Sequence, residues 1–145
     1  MQVADLLKKK GREVATIEPT ATIGSVCDLL RERGIGALVV SADGTTIDGI
    51  ISERDIVRAL GAGASDDLLE RPCHDIMTAE VFTCSNGDRV QHLMSMMTEK
   101  RIRHLPVEDG GGLAGIISIG DVVKHRLSEL EEETRLLEDY IQHGR

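Results

Sequence analysis

Short apolar runs alternate along this chain with stripes of apolar residues at helical spacing, and the order occurs twice. Val14–Ile17 and Val81–Cys84 read as short leading strands. Behind them, Ile23, Val26, Cys27 and Leu30, and then Val90, Leu93, Met94 and Met97, fall at the spacing of one helix face. Thr22 and Gly87-Asp88 stand where helix N-caps are expected. Each helix is followed by an apolar strand (Ala37–Val40; Leu105–Val107), a Gly/Asp turn, a second strand (Ile47–Ile51; Leu113–Ile117) and a closing helix starting near Asp55 or Asp121. The pattern predicts an α/β (α+β) fold made of two strand–helix–strand–strand–helix units. Either unit alone has too little core. Two units packed sheet against sheet around a pseudo-two-fold axis are expected to share one.

The two units are a duplication. Gly49-Ile50-Ile51-Ser52-Glu53-Arg54-Asp55-Ile56-Val57 matches Gly115-Ile116-Ile117-Ser118-Ile119-Gly120-Asp121-Val122-Val123 at six of nine positions, with an offset of 66. Upstream, Thr16 matches Thr83 and Ile35–Val40 matches Ile102–Val107, both at an offset of 67. The one-residue difference falls at the turn Asp109-Gly110-Gly111-Gly112, where a length change is tolerated.

The resulting division is repeat one over 1–60, a linker over 61–72, repeat two over 73–125 and an amphipathic C-terminal helix over 126–145. Gly-Ala-Gly-Ala-Ser opens the linker as a helix end and flexible turn, and Asp66–Arg71 suits an extra helical turn. A docking segment precedes each leading strand: Val3-Ala4-Asp5-Leu6-Leu7 and Cys73-His74-Asp75-Ile76-Met77. In the tail, Leu127, Leu130, Thr134, Leu137 and Ile141 form a seam of about two heptads. That is short for a coiled coil, so the favoured reading is a helix docked on its own or a partner domain.

Composition narrows the classes. The chain has 145 residues, no tryptophan, one tyrosine and one phenylalanine, so its core is aliphatic. Seventeen basic against 25 acidic residues give a formal net charge of −8. That balance, with so few rings, argues against nucleic-acid partners. No apolar run approaches the length of a membrane span, and Met1–Lys10 has no signal-peptide stretch. Cys27, Cys73 and Cys84 lack C-x-x-C spacing and read as reduced thiols in a cytoplasmic protein. His74, His92, His125 and His143 show no ligand spacing, so no metal site is expected. His92, His125 and His143 are expected to be exposed. Met94, Met96 and Met97 read as core and interface filling.

The duplicated signature, an h-x-T-h strand, then Gly36-Ala37-Leu38-Val39-Val40 or Arg103-His104-Leu105-Pro106-Val107, then G-I-I-S-x-x-D, resembles a tandem pair of CBS domains, the module named after cystathionine β-synthase. The likeness covers nearly the whole chain and is to a stand-alone, bacterial-type Bateman module. It implies two clefts related by pseudo-two-fold symmetry, binding AMP, ADP or ATP, or else NAD(H) or S-adenosylmethionine. It also implies dimerisation and an energy-sensing regulatory role without catalysis. The chemistry of the motif suits this. An Asp at a helix start can accept both hydroxyls of a ribose diol, and Ser three residues earlier sits where helix N–H groups favour phosphate. Helix capping alone is the competing explanation.

Carried over residue by residue, the resemblance puts Thr16, Ile17, Ser52, Arg54 and Asp55 in one cleft with Arg103, His104, Leu105 and Pro106. Arg103 and His104 would face phosphate, Asp55 the ribose and Thr16 the adenine edge. The other cleft would hold Gly36, Ala37, Leu38, Thr83, Ser118 and Asp121; lacking the cationic pair, it is the weaker nucleotide site. Lys8, Lys9 and Lys10 are candidate contacts to a further phosphate. With no ring to stack on, adenine would lie between aliphatic side chains such as Ile17, Leu38, Ile51 or Ile117. The functional expectation is an adenine-nucleotide sensor, a homodimer acting in trans on a partner protein, with no catalytic cofactor. Two alternatives stand beside it. One is a structural interaction module with vestigial clefts; the other is an enzyme using His104 or Asp55 as acid or base.

Overall fold

The computed structural model describes residues 1–63 and 66–144. Helix α1 (Val3–Lys10) leads into β1 (Thr16–Ile17), α2 (Ile23–Arg33), β2 (Ala37–Val40), β3 (Gly49–Ser52) and α3 (Glu53–Gly61). Two 3₁₀ turns, Leu68–Glu70 and Cys73–Asp75, carry the chain to β4 (Cys84–Ser85), α4 (Val90–Lys100), β5 (His104–Asp109), β6 (Gly112–Ser118) and α5 (Ile119–His143). Ala64 and Ser65, inside the expected flexible turn, lie outside the described residues, as does Arg145. Each half builds a three-stranded sheet, β1-β2-β3 or β4-β5-β6, with its leading strand parallel and its last strand antiparallel to the middle one. The fold is the expected mixed α/β pair with a long C-terminal helix.

The leading strands are shorter than Val14–Ile17 and Val81–Cys84, because only two residues of each pair with the middle strand. Thr22 caps α2, its side chain accepting from the Ser25 N–H at 3.1 Å. At α4 the expected Gly87-Asp88 cap is replaced by Arg89. The Asp88 carboxylate instead accepts the Ser85 N–H at 2.8 Å, closing the turn before the helix.

The expected single shared core is in fact two. One cluster gathers Ile23, Val26, Leu30, Leu38, Val40 and Ile51 of the first half. The other gathers Val90, Leu93, Met97, Leu105, Val107 and Ile117 of the second. Each is completed by the docking segment of the opposite half: Val3, Leu6 and Leu7 lie in the second cluster, and Cys73 in the first, with Ile76 and Met77 packed against it. The exchange is fixed by backbone hydrogen bonds. Val3 and Ala4 donate to the Asp88 and Asn86 carbonyls at 2.8 and 3.0 Å, and Cys73 and His74 donate to Ala21 and Pro19 at 2.7 and 3.1 Å. Swapped segments give each small sheet the third layer it lacks, so the halves are stitched together without merging their interiors.

The signature glycines make room for this exchange. A Cβ on Gly49 would lie 2.6 Å from Met77 Sδ and 2.9 Å from the Thr78 carbonyl; one on Gly115 would lie 2.8 Å from Leu7 Cδ2. Met97 is buried, and Met94 and Met96 pack against the same cluster, filling core as expected. Cys73 and Cys84 are buried free thiols; burial raises both, Cys84 to about 12. Helix α5 stays in contact with the body through buried Val122 and the Lys10–Asp121 hydrogen bond, and half-buried His125 meets Glu129 at 3.1 Å within the helix. His125 is thus largely covered rather than exposed. Beyond it, every described residue from Glu131 is exposed, including the seam residues Leu137 and Ile141. The seam is not docked on its own chain.

Candidate functional site

Two clefts open between the halves. The first, about 220 Å³, is lined by Ser52, Glu53, Arg54, Asp55 and Arg58 at the β3–α3 junction, with Gly36 and Ile50 beside them. Thr78 and Arg101–His104 reach it from the second half. The second, about 590 Å³, is lined by Ser118, Asp121 and Ile116 from the second half. Lys10, Glu13, Val14, Ala15 and the segment Arg33–Ala37 reach it from the first, with His104 on the shared wall.

Both signature Asp residues occupy the third position of their helix and close a capping box with Ser52 or Ser118. The Ser52 N–H and O–H donate to Asp55 Oδ2 at 2.9 and 3.1 Å, and the Thr78 hydroxyl donates to Oδ1 at 3.1 Å. Asp55 is 8% exposed. Capping and ligand binding are therefore compatible: one oxygen holds the helix, and the other is met only by a hydroxyl, which a ribose hydroxyl can replace in kind. Thr78 is itself fixed by reciprocal backbone hydrogen bonds with Ile50, both 2.9 Å.

Four guanidinium groups, Arg54, Arg58, Arg101 and Arg103, line the first cleft, and none has an ion-pair partner among the described residues. Arg54 Nη1 donates to the Arg101 carbonyl at 3.3 Å, linking the halves across the cleft. Arg101 is the one described non-glycine residue with positive φ, +54°, where repeat one has Gly34 at +61°. A left-handed backbone costs an L-residue about 1 kcal/mol, and here the side chain held at that cost lines the cleft. His104 is held mainly neutral. Burial lowers its pKa from the ordinary value, Lys10 and Arg103 lower it further, and Asp121 and Glu53 oppose them.

Of the residues expected in the first cleft, Ser52, Arg54, Asp55, Arg103 and His104 line it. Thr16 and Ile17 do not: β1 pairs with Val39 and Val40 on the far side of β2 from Asp55. Leu105 and Pro106 are buried in β5. In the second cleft Gly36, Ala37, Ser118 and Asp121 come together, whereas Leu38 is fully buried and Thr83 lies outside the lining. Lys10 belongs to this cleft, while Lys8 and Lys9 are exposed beside it on α1. The aliphatic walls expected from Leu38, Ile51 and Ile117 are corrected to their neighbours. Those three are 0% exposed, and strand alternation turns Ile50 and Ile116 to the clefts instead.

Sequence reasoning missed Thr78, Arg58 and Arg101. Arg58 was within reach, one helical turn after Arg54 on α3. Arg101 was marked by its pairing with Gly34 under the repeat. Thr78 left no signal, since nothing in the sequence shows that the docking segments change partners.

These features define a class: a duplicated pair of small α/β units with a ligand-sized cleft at each crossing of their signature turns. The profile of the CBS domain family matches residues 3–62 and 73–128, and the chain belongs to that family. Its structure superposes with a TM-score of 0.82 on a CBS-domain protein of Agrobacterium tumefaciens, at 45% identity over 87% of this chain and 99% of that one. A CBS domain protein of Pyrobaculum aerophilum, solved in complex with AMP, gives 0.77 at 29% identity, covering 92% and 99% of the respective chains. The mitochondrial CBS domain-containing protein CBSX3 of Arabidopsis thaliana is 33% identical over 150 residues, 98% of this chain and 72% of that protein.

Proposed function

We propose that this chain is a non-catalytic regulatory module that binds a phosphorylated adenosine ligand in the Asp55 cleft and acts in trans on a partner protein. The observation that carries the reading is the convergence of four arginines, without an ion-pair partner among the described residues, with a buried, capped aspartate at one cleft built from both halves. The arginines supply charge-assisted donors for phosphate. Asp55 and Thr78 take the ribose hydroxyls, and Ile50 and Ile102 provide the apolar walls for the base. AMP, ADP and ATP fit this charge pattern, and NAD(H) adds a second nucleotide. The AMP complex of the Pyrobaculum relative is consistent with the choice. Binding ties Arg54 and Asp55 of one half to Arg101 and Arg103 of the other, so the ligand favours whichever arrangement of the halves brings them together.

The module works as a homodimer in a reducing compartment such as the cytoplasm, where its three thiols stay free. Its division into repeats at 1–60 and 73–125, with a tail helix after 126, is part of the same reading. A constitutive interaction module is the second reading, favoured by the uncovered apolar seam of α5.

Thermal unfolding against AMP, ADP, ATP, NAD⁺, NADH and S-adenosylmethionine separates them. A ligand at about 100 times its Kd adds about 2.7 kcal/mol, a shift of several degrees. The sensor reading requires such a shift with at least one phosphorylated ligand, lost in Asp55→Ala. No shift with any of the six, in protein stripped of bound nucleotide, selects the interaction module.

A further inference from the structure

Helix α5 carries two apolar stripes, and neither is covered over its outer half. The residues on its body side, Val122, His125, Arg126 and Glu129, are buried or half-buried and share one face. Leu136 and Tyr140 continue that face by helical spacing. They stand 56% and 72% exposed, because from Glu131 onward the helix has run past its own body. The second stripe is the seam of Val123, Leu127, Leu130, Thr134, Leu137 and Ile141, all exposed. It lies about 110° round the helix from the first. The family profile ends at residue 128, so the overhanging turns are an addition to the shared module. A helical overhang of this length is marginal when it stands alone in water, and two bare stripes call for a cover.

Resting on the reading of the module as a homodimer, we propose that α5 pairs antiparallel with α5 of a second copy and that each tail is received by the other copy's body. One register fits the whole seam. Turned about Glu132, Val123 meets Ile141 of the second copy, Leu127 meets Leu137 and Leu130 meets Thr134, each pair formed twice across the two-fold axis. The overlap over 123–141 is about 28 Å long. Lys124 falls beside Glu138 of the other helix, and Arg126 beside the ring of Tyr140. Glu131 and Glu133 meet their own copies near the axis, a local repulsion that weakens the pair. The two stripes together decide the direction. An antiparallel pair has its two-fold axis across the helices, so both bodies lie on the same side of the pair. Each tail then passes over the other body, with Leu136 and Tyr140 facing it. A parallel pair, its axis along the helices, closes the seam alone and leaves Leu136 and Tyr140 in water.

Tyr140 is the only tyrosine and the chain has no tryptophan, so intrinsic fluorescence reads the body-side stripe directly. Acrylamide quenching of the full chain is expected to fall at least twofold as the protein is concentrated from monomer to dimer. In Leu130→Asp, a change at an exposed site, it is expected to stay at the monomer level. Disulfide trapping in a Cys27→Ser background reads the direction. Leu127→Cys and Leu137→Cys are each expected to remain uncrosslinked alone and to give a covalent dimer when mixed. Crosslinking of Leu137→Cys alone overturns the antiparallel pairing, as does a dimer whose tyrosine is quenched as in the monomer. A dimeric parent whose variants crosslink neither alone nor mixed overturns the inference and leaves the homodimer reading standing. A parent that stays monomeric overturns both.

Discussion

Arg101 carries the clearest opposition between stability and binding at a single residue. Its backbone sits where repeat one uses glycine, and its guanidinium lines the cleft. Arg101→Gly is expected to stabilise the fold by up to about 1 kcal/mol, by relieving the left-handed strain. The same change is expected to weaken AMP several-fold. Urea unfolding and calorimetry on one sample check both signs, and a destabilised variant with unchanged affinity would contradict this assignment. His104 gives a pH-dependent counterpart. Its folded pKa lies below the ordinary 6.5 because burial and Lys10 disfavour the imidazolium. As pH falls through 6.5 the unfolded chain takes up this proton first, so stability falls with pH across that window. A phosphate beside His104 favours the protonated form, so AMP is expected to bind more tightly at pH 6 than at pH 8. In His104→Gln both slopes should flatten, as melts and titrations at the two pH values will show.

At the scale of elements, the exchange of docking segments governs what breaks the fold. Gly49→Ala forces a methyl group against Met77 Sδ and the Thr78 carbonyl, the latter unable to yield. The expected cost is about 2 kcal/mol or more, with loss of AMP binding because Thr78 is displaced from Asp55. Leu7→Ala empties a buried site in the second cluster and should cost about 2–5 kcal/mol. Because Leu7 belongs to the first half by sequence, the loss should appear in one cooperative transition; separate transitions would show that the halves fold independently. Much of this scale was legible beforehand. The repeat, the element order, the Thr22 cap and the Ser–Asp pairs at both helix starts follow from local pattern. The partners of the docking segments were not legible, since apolar residues such as Leu6 and Met77 satisfy either core equally well. The resemblance put Thr16 in the Asp55 cleft, whereas the strand order places β2 between them.

For the whole molecule, uncovered apolar surface points to association. Val57 and Val123, equivalent under the repeat, are 65% and 48% exposed on α3 and α5. A two-fold dimer covering both would double the 15.8 kDa mass. Sedimentation equilibrium is expected to give the dimer for the parent protein and the monomer for Val57→Asp with Val123→Asp; a monomeric parent would refute it. The seam on α5 continues this surface, since Leu127 follows Val123 by four residues on the same helix face.

Binding of a phosphorylated adenosine ligand in the Asp55 cleft can be checked by mapping amide chemical shifts of the full chain during AMP titration. The largest changes are expected at Ser52–Arg58, Thr78 and Arg101–His104, residues distant in sequence that line this one cleft. Saturating AMP that leaves those amides unmoved, or moves only residues elsewhere such as the α5 tail, would contradict it.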